Sequence, residues 1–390
     1  MSSKDLTDAF TKRFGREPVY SVSAPGRTEL GGNHTDHQHG LVLAAAVTLE
    51  TRAAAAPNGL SCIRIHSEGF EDFTVDLSDL SARKGEQGTS AALVRGIAAC
   101  FAEKDHPFRG FDAAITSSVL PGSGLSSSAS FEVLIGRIGN ELTGARLTPV
   151  EIAKIGQFAE NRYYGKPSGL MDQMVCSVGG VLAIDFENTQ DPVITPVDHD
   201  FSASGYQLMI IDSGADHQDL THEYAAITEE LSLICSFFEK KVLREIPEAN
   251  FYENLDKLRK LAGDRAVLRA IHVYEENRRV LRQISALQRG NFEEYLSLVN
   301  ASGASSWQYL QNVIPAGNTA HQEMAVTLAL VSKELHGAGA CRLQGGGFGG
   351  TVQAYVPKAD IVTFTKDLEA LIGKEKIRPV FLQKNGSGSM

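Results

Sequence analysis

The segment Leu120-Pro-Gly-Ser-Gly-Leu-Ser-Ser-Ser-Ala-Ser130 constrains this chain most, because it joins a β-type run ending at Val119 to the apolar-periodic stretch Phe131 to Leu142. Gly122 and Gly124 can take backbone angles closed to other residues, and the first turn of the following helix offers N–H groups without intrahelical partners. Strand, glycine turn and helix N-terminus in that order make an anion cradle, to which Ser126, Ser127 and Ser128 add hydroxyls for phosphate oxygens or Mg²⁺. The simpler alternative is a plain serine N-cap after a glycine turn. Three consecutive serines after Gly-x-Gly-Leu weigh against it. The P-loop class is excluded, since Gly165-Lys166 is followed by Pro167 and Gly373-Lys374 by Glu375.

A second glycine cluster, Gly345-Gly-Gly-Phe-Gly-Gly350, matches G-x-G-x-x-G literally, but Thr351 to Val356 after it reads as a strand rather than a helix. A Rossmann turn therefore fails on context. Close backbone approach to a ligand fits better, with a hairpin turn as the plain alternative. The third polar concentration is Ala24-Pro-Gly-Arg-Thr-Glu-Leu-Gly-Gly-Asn-His-Thr-Asp-His-Gln-His-Gly40, with Arg27, Glu29, Asn33, His34, Asp36, His37 and His39 between apolar runs. His-x-Asp-His is half of a metallohydrolase pattern. The other half needs a histidine at position 32, which is Gly32, and the remaining histidines show no ligand spacing. The zinc alternative predicts stoichiometric zinc in the purified protein.

At roughly 150 residues per domain, 390 residues predict two domains. β-type runs and helical stretches interleave up to about Val197 (Val19 to Ser23, Leu41 to Val47, Ser61 to His66, Ala92 to Glu103, Phe111 to Val119, Gly180 to Phe186). Long amphipathic helices then dominate, with strand-like runs at Gln207 to Asp212, Val352 to Val356 and Val380 to Leu382. The boundary is expected near residue 195, giving domains 1–195 and 196–385 and a flexible tail 386–390. A net charge of −10 repels nucleic acid and anionic lipid surfaces. Five separated cysteines without a C-x-x-C pair, a charged N-terminus without an apolar leader and the lack of a membrane-length apolar run predict a cytoplasmic protein.

Taken together and in this order, the three segments resemble the galactokinase branch of the kinase superfamily that includes homoserine, mevalonate and phosphomevalonate kinases. The family's first motif, P-G-R-x-N-x-I-G-E-H-T-D-Y, is echoed by Pro25 to His37, its second by Pro121 to Ser130 and its third by Gly345 to Gly350. Ala159-Glu-Asn-Arg-Tyr-Tyr-Gly165, Gly169-Leu-Met-Asp-Gln173, His222-Glu-Tyr224, Arg269 to Val273 and Glu276-Asn-Arg278 are similar to further family segments. The resemblance spans about residues 18 to 356. It implies an α+β two-domain kinase: an N-terminal α/β domain of ribosomal-protein-S5-like type, a C-terminal ferredoxin-like domain, and an active site in the cleft between them.

The resemblance also implies roles. Asp172 would take or orient the proton of a sugar's anomeric hydroxyl, with Arg27 beside it to keep it ionised and to neutralise the transferring phosphoryl group. Gly122, Ser123, Gly124, Leu125, Ser126, Ser127, Ser128 and Ala129 would cradle ATP, and Ser127 and Glu160 would hold Mg²⁺. Asn33, His34, Asp36, Gly169, Tyr224 and Gly346 would line the sugar. Three positions depart from the family: Glu29 replaces asparagine, Asn33 glutamate and His37 tyrosine. An amide at Asn33 can donate as well as accept, so galacturonate is an alternative to galactose there. Further along, Gly303 and Trp307 stand where the family has histidine and arginine. A non-catalytic sugar sensor is a further alternative, disfavoured by the complete serine-alanine run together with Asp172, Arg27 and Glu160. The implied partners are ATP and a small sugar, in a monomer or weak homodimer.

Overall fold

The computed structural model describes residues 3–119, 122–215 and 220–383. Leu120, Pro121 and His217 and the tail 386–390 lie outside them. The strands are β1 (Tyr20–Gly31), β2 (Leu41–Pro57), β3 (Cys62–Ser67), β4 (Phe73–Asp76), β5 (Phe111–Ser117), β6 (Val181–Asp185), β7 (Val193–Pro196), β8 (Tyr206–Asp212), β9 (Ala340–Leu343), β10 (Thr351–Pro357) and β11 (Ile377–Val380). Among the described residues they form two sheets: one ordered β4-β3-β5-β2-β6-β7 with β1 on β2, the other β11-β8-β10-β9. β3 and β5 pair in parallel, whereas the other pairings are antiparallel. The first half, expected as α/β, is thus α+β in its strand pairing. Three of its α-helices follow one another between β5 and β6, with one more before β1 and one between β4 and β5, instead of crossing over after each strand.

Helices Ser90–Glu103 and Ser127–Thr143 bury their apolar faces against the first sheet, around Val22, Ile65, Val94, Phe101, Phe111 and Val133, and Pro149–Ala159 packs across those two helices. The turn before Pro149 carries a full capping box, in which Thr148 and Glu151 satisfy each other's backbone N–H groups. The short strands β4 and β7 escape the sequence reading, since four residues carry too little periodicity.

The first motif is not a loop. β1 runs through Gly31, with register shifts between Pro25 and Arg27 and between Glu29 and Gly31. Arg27, Thr28 and Glu29 are buried there despite their polarity. The 25-residue helix Asp264–Gln288 is the scaffold for the end of β1 and the turn beyond it. Its Gln283 amide donates to Leu30 O, Glu276 accepts from Gly32 N, His272 donates to Asn33 O, and Asn277 accepts from Leu41 N. These four contacts, three of them from one face of the helix, satisfy backbone groups that burial would otherwise penalise. The second half of the chain therefore sets the shape of a segment in the first. Among the described residues no helix is long and apolar enough to cross a membrane, and none of the five cysteines forms a disulfide.

Candidate active site

Arg27 grips Asp172 with a two-pronged fork, Nε to Oδ1 and Nη2 to Oδ2, both at 2.7 Å, while its Nη1 donates to the carbonyl of Gly124 at 2.6 Å. Such planar pairing is stronger and more directional than a point-charge contact. Asp172 lies in the first turn of the helix Met171–Val178, where the helix dipole favours a carboxylate. Burial pushes its pKa up, but the Arg27 guanidinium and the Ser126 hydroxyl prevail and hold it below the ordinary carboxylate value. It is ionised at neutral pH.

Ser126 occupies the N-cap position of the helix Ser127–Thr143 in a left-handed conformation, φ 59°, and makes no side-chain cap bond. Its Oγ donates instead to Asp172 Oδ2 at 2.5 Å. The plain N-cap alternative is thereby set aside. A non-glycine residue held at positive φ and aimed at a carboxylate is backbone strain placed at a site. The two glycine segments touch: Gln344 donates to Gly124 O and Thr351 to Ser123 O, at 3.2 Å each. Leu125 accepts from Arg27 N at 3.0 Å. Ala129 differs from its sequence neighbours, because its side chain is buried in the first-sheet core.

Glu160 opens a π-helical turn, Glu160–Tyr164, a distortion often found where function demands a reoriented side chain. Its Oε2 accepts from Ser168 Oγ at 2.6 Å and Gln173 Nε2 at 2.8 Å, and its Oε1 faces Lys166 Nζ at 3.3 Å. Gln173 also donates to the buried Glu132 at 2.9 Å. Burial, then the charge of Glu160, pushes the Glu132 carboxyl well above its usual value. The buried Glu160 carboxylate supplies hard oxygens of the kind that a divalent cation such as Mg²⁺ takes.

Across the site, the His34 Nε2–H donates to Gly346 O at 2.9 Å, and Tyr224 donates to Gly347 O at 2.9 Å. Gly346 is required sterically, since a Cβ would stand 2.6 Å from Tyr224 Cε1. Gly169 is required likewise, because a Cβ there would collide with the Asp36 carboxylate. Arg27, Asp172, Ser126, Asp36, Gly169, His34, Gly346 and Tyr224 are thus brought together from five separate stretches of sequence.

Asn33 departs from expectation. It is fully buried, and its amide donates to Gly345 O (2.7 Å) and Glu29 (3.1 Å) while its oxygen accepts from Ser306 (3.2 Å) and Asn312 (2.9 Å). All four of its hydrogen-bonding positions are filled, so it ties the third glycine segment to the first motif and offers no group to a sugar. The expected amide contact to a C6 group is corrected accordingly. Glu29, at the family's asparagine position, pairs with the buried Arg342. The sequence reading missed Glu132, Lys166, Ser168, Gln173, Asn312 and Arg342. Glu132 carried one signal: a carboxylate among the apolar residues that open the helix, one turn beyond Ser128.

Burial, and next the neighbouring His37, pushes His34 down to about 3, so it is neutral in the folded protein. The unfolded chain binds a proton near pH 6.5 and the folded one does not, so stability falls as pH drops from about 6.5 toward 3. Urea midpoints measured across that window are expected to decline less in His34→Gln than in the parent. Parallel curves would assign the acid sensitivity elsewhere.

The buried arginine–carboxylate pair lies beneath two touching glycine segments in a chain of the GHMP kinase class. The sequence profile of the GHMP kinases N terminal domain matches residues 92–180, and that of the galactokinase galactose-binding signature residues 8–57. A galactokinase from Mannheimia succiniciproducens is 31% identical over 362 residues, 92% of this chain and 90% of its own length; one from Actinobacillus pleuropneumoniae is 33% identical over 356 residues, 90% and 88%. The crystal structure of Lactococcus lactis galactokinase complexed with galactose superposes with a TM-score of 0.84 at 26% identity, covering 99% of both chains. Mevalonate kinase from Methanococcus jannaschii shares the fold, with a TM-score of 0.66 at 16% identity. The chain belongs to the galactokinase family.

Proposed function

We propose that this chain transfers the terminal phosphoryl group of ATP to the anomeric hydroxyl of galactose, giving galactose 1-phosphate and ADP. The observation that carries this reading is the Arg27–Asp172–Ser126 cluster, with Asp36, Gly169 and Tyr224 on one side and the touching glycine segments on the other. Asp172 accepts the hydroxyl hydrogen and aims the oxygen lone pair at phosphorus. The new O–P bond forms as the bond from phosphorus to the bridging oxygen breaks, and its electron pair leaves on ADP. The proton passes to Asp172 or to a phosphate oxygen. Arg27 keeps Asp172 charged and neutralises the phosphoryl oxygens.

Ser127 and Glu160 would hold Mg²⁺, which when bound offsets the nucleotide's phosphate charge. Asp36 serves the sugar as an acceptor-only carboxylate held against Gly169, and the neutral His34 presents Nδ1 as a second acceptor. With Asn33 fully engaged, a C6 carboxylate gains no partner there, which favours galactose over galacturonate. The two halves, divided near residue 195, would close over the substrates. One chain supplies every group named, so a monomer or weak homodimer in the cytoplasm suffices.

Assay of ADP release with ATP, Mg²⁺ and a panel of hexoses and uronic acids tests the reading. Galactose is expected to be the fastest acceptor, and turnover confined to a uronate or absent altogether would overturn it. In Gly169→Ala the added methyl displaces Asp36. KM for galactose is expected to rise about tenfold, as for one lost charged hydrogen bond, with KM for ATP unchanged. Equal rises in both would remove Gly169 from the sugar side.

A further inference from the structure

Lys166 has no task in the proposed transfer, yet it stands at the edge of the site. It lies on the loop 165–169 with its backbone anchored: Lys166 N donates to Glu160 O at 3.2 Å, and Ser168 N to Asn161 Oδ1 at 2.7 Å. The side chain is 57% exposed, whereas that of the Glu160 it faces is 4% exposed. The other Glu160 oxygen is fixed by Ser168 and Gln173, so the oxygen facing Lys166 is the one that can change partner. The field at the ammonium comes from several sides. Partial burial disfavours its charge, but Glu160, then Asp172 and Glu132, raise its pKa above the lysine value. Across the cleft, the same ammonium lowers the pKa of Tyr224, against the rise that burial imposes there.

Resting on the proposed kinase reading, we propose that Lys166 is a further catalytic residue: it neutralises Glu160 in the nucleotide-free protein and moves onto the terminal phosphate oxygens of ATP when a divalent cation takes Glu160. A divalent cation held by that oxygen would repel the ammonium that stands 3.3 Å from it. The exposed four-carbon stem lets the head swing while the loop stays fixed. Three N–H donors then meet the oxygens on which charge gathers as the phosphoryl group leaves.

The test uses the full chain with Lys166→Met and Lys166→Arg, and calorimetry with Mg²⁺ alone, Mg-ADP and the magnesium complex of the non-hydrolysable imido analogue of ATP. Lys166→Met is expected to bind the ATP analogue about tenfold more weakly and Mg-ADP within about twofold of the parent, because ADP lacks the phosphate that Lys166 grips. Mg²⁺ alone is expected to bind at least about threefold tighter, since its competitor at Glu160 is gone. Turnover is expected to fall about 10- to 100-fold, and Lys166→Arg to restore most of the analogue affinity. A merely structural role would not move metal and nucleotide binding in opposite directions. Equal weakening of ADP and analogue, or no weakening of either, would overturn the assignment. If the parent fails to phosphorylate galactose, the kinase reading falls, while the ADP-versus-analogue comparison still decides Lys166.

Discussion

Asp172→Asn is expected to lower kcat by about 10²- to 10⁴-fold, the range of a lost acid–base group, while the ATP analogue still binds within about threefold. The substitution keeps the shape of the side chain. However, it removes the negative charge that orders Arg27 and accepts from Ser126, and one amide N–H must now face an Arg27 donor. The hydroxyl to be phosphorylated loses its acceptor, and the guanidinium loses the partner that fixes its plane. Steady-state kinetics with galactose, paired with calorimetry on the same preparation, separate this from misfolding. Turnover near that of the parent would remove Asp172 from the chemistry.

Arg342→Met is expected to destabilise the fold by about 3–5 kcal/mol, the cost of leaving one member of a buried ion pair without its partner. The Arg342 side chain is fully buried, and Glu29 is 3% exposed. Burial already raises the Glu29 pKa, with Arg342 and Arg27 lowering it against that trend. Without Arg342 the carboxyl rises further, so the folded variant holds a proton that the unfolded chain releases above the ordinary glutamate value. The deficit should therefore shrink as pH falls toward about 4.5 and be largest at neutral pH. Adding Glu29→Gln should recover most of the loss, because it removes the orphaned charge rather than restoring its partner. Denaturant unfolding of the single and double variants checks both; a single variant as stable as the parent would show that Glu29 finds another counter-ion.

The proposed catalytic cluster was legible in sequence to the extent that its members lie in short motifs. Glycine with clustered hydroxyls before a helix announces an anion site, and the Arg27 and Asp172 segments keep the family's local pattern. Lys166 and Gln173 were not legible, since a lysine on a loop and a glutamine in a helix have thousands of uneventful counterparts. Their meaning comes from Glu160, which lies 6 and 13 positions away. Asn33 shows the reverse error. Its position in the motif suggested a ligand contact, but Asn312 and Ser306, almost 280 residues further on, occupy its acceptor.

Local patterns alone determined most of the longer strands and helices and the two glycine segments, because turn chemistry and hydrophobic period act over a few neighbouring residues; Arg27 and Asp172 stood out only through the family resemblance. Which polar side chains stay open to a ligand was decided by the packing of the helix Asp264–Gln288 and of β9 and β10 against β1. Burial there makes every unmatched donor or acceptor expensive. Partners far apart in the chain, such as Glu29 and Arg342, could be matched only once the two sheets had come together.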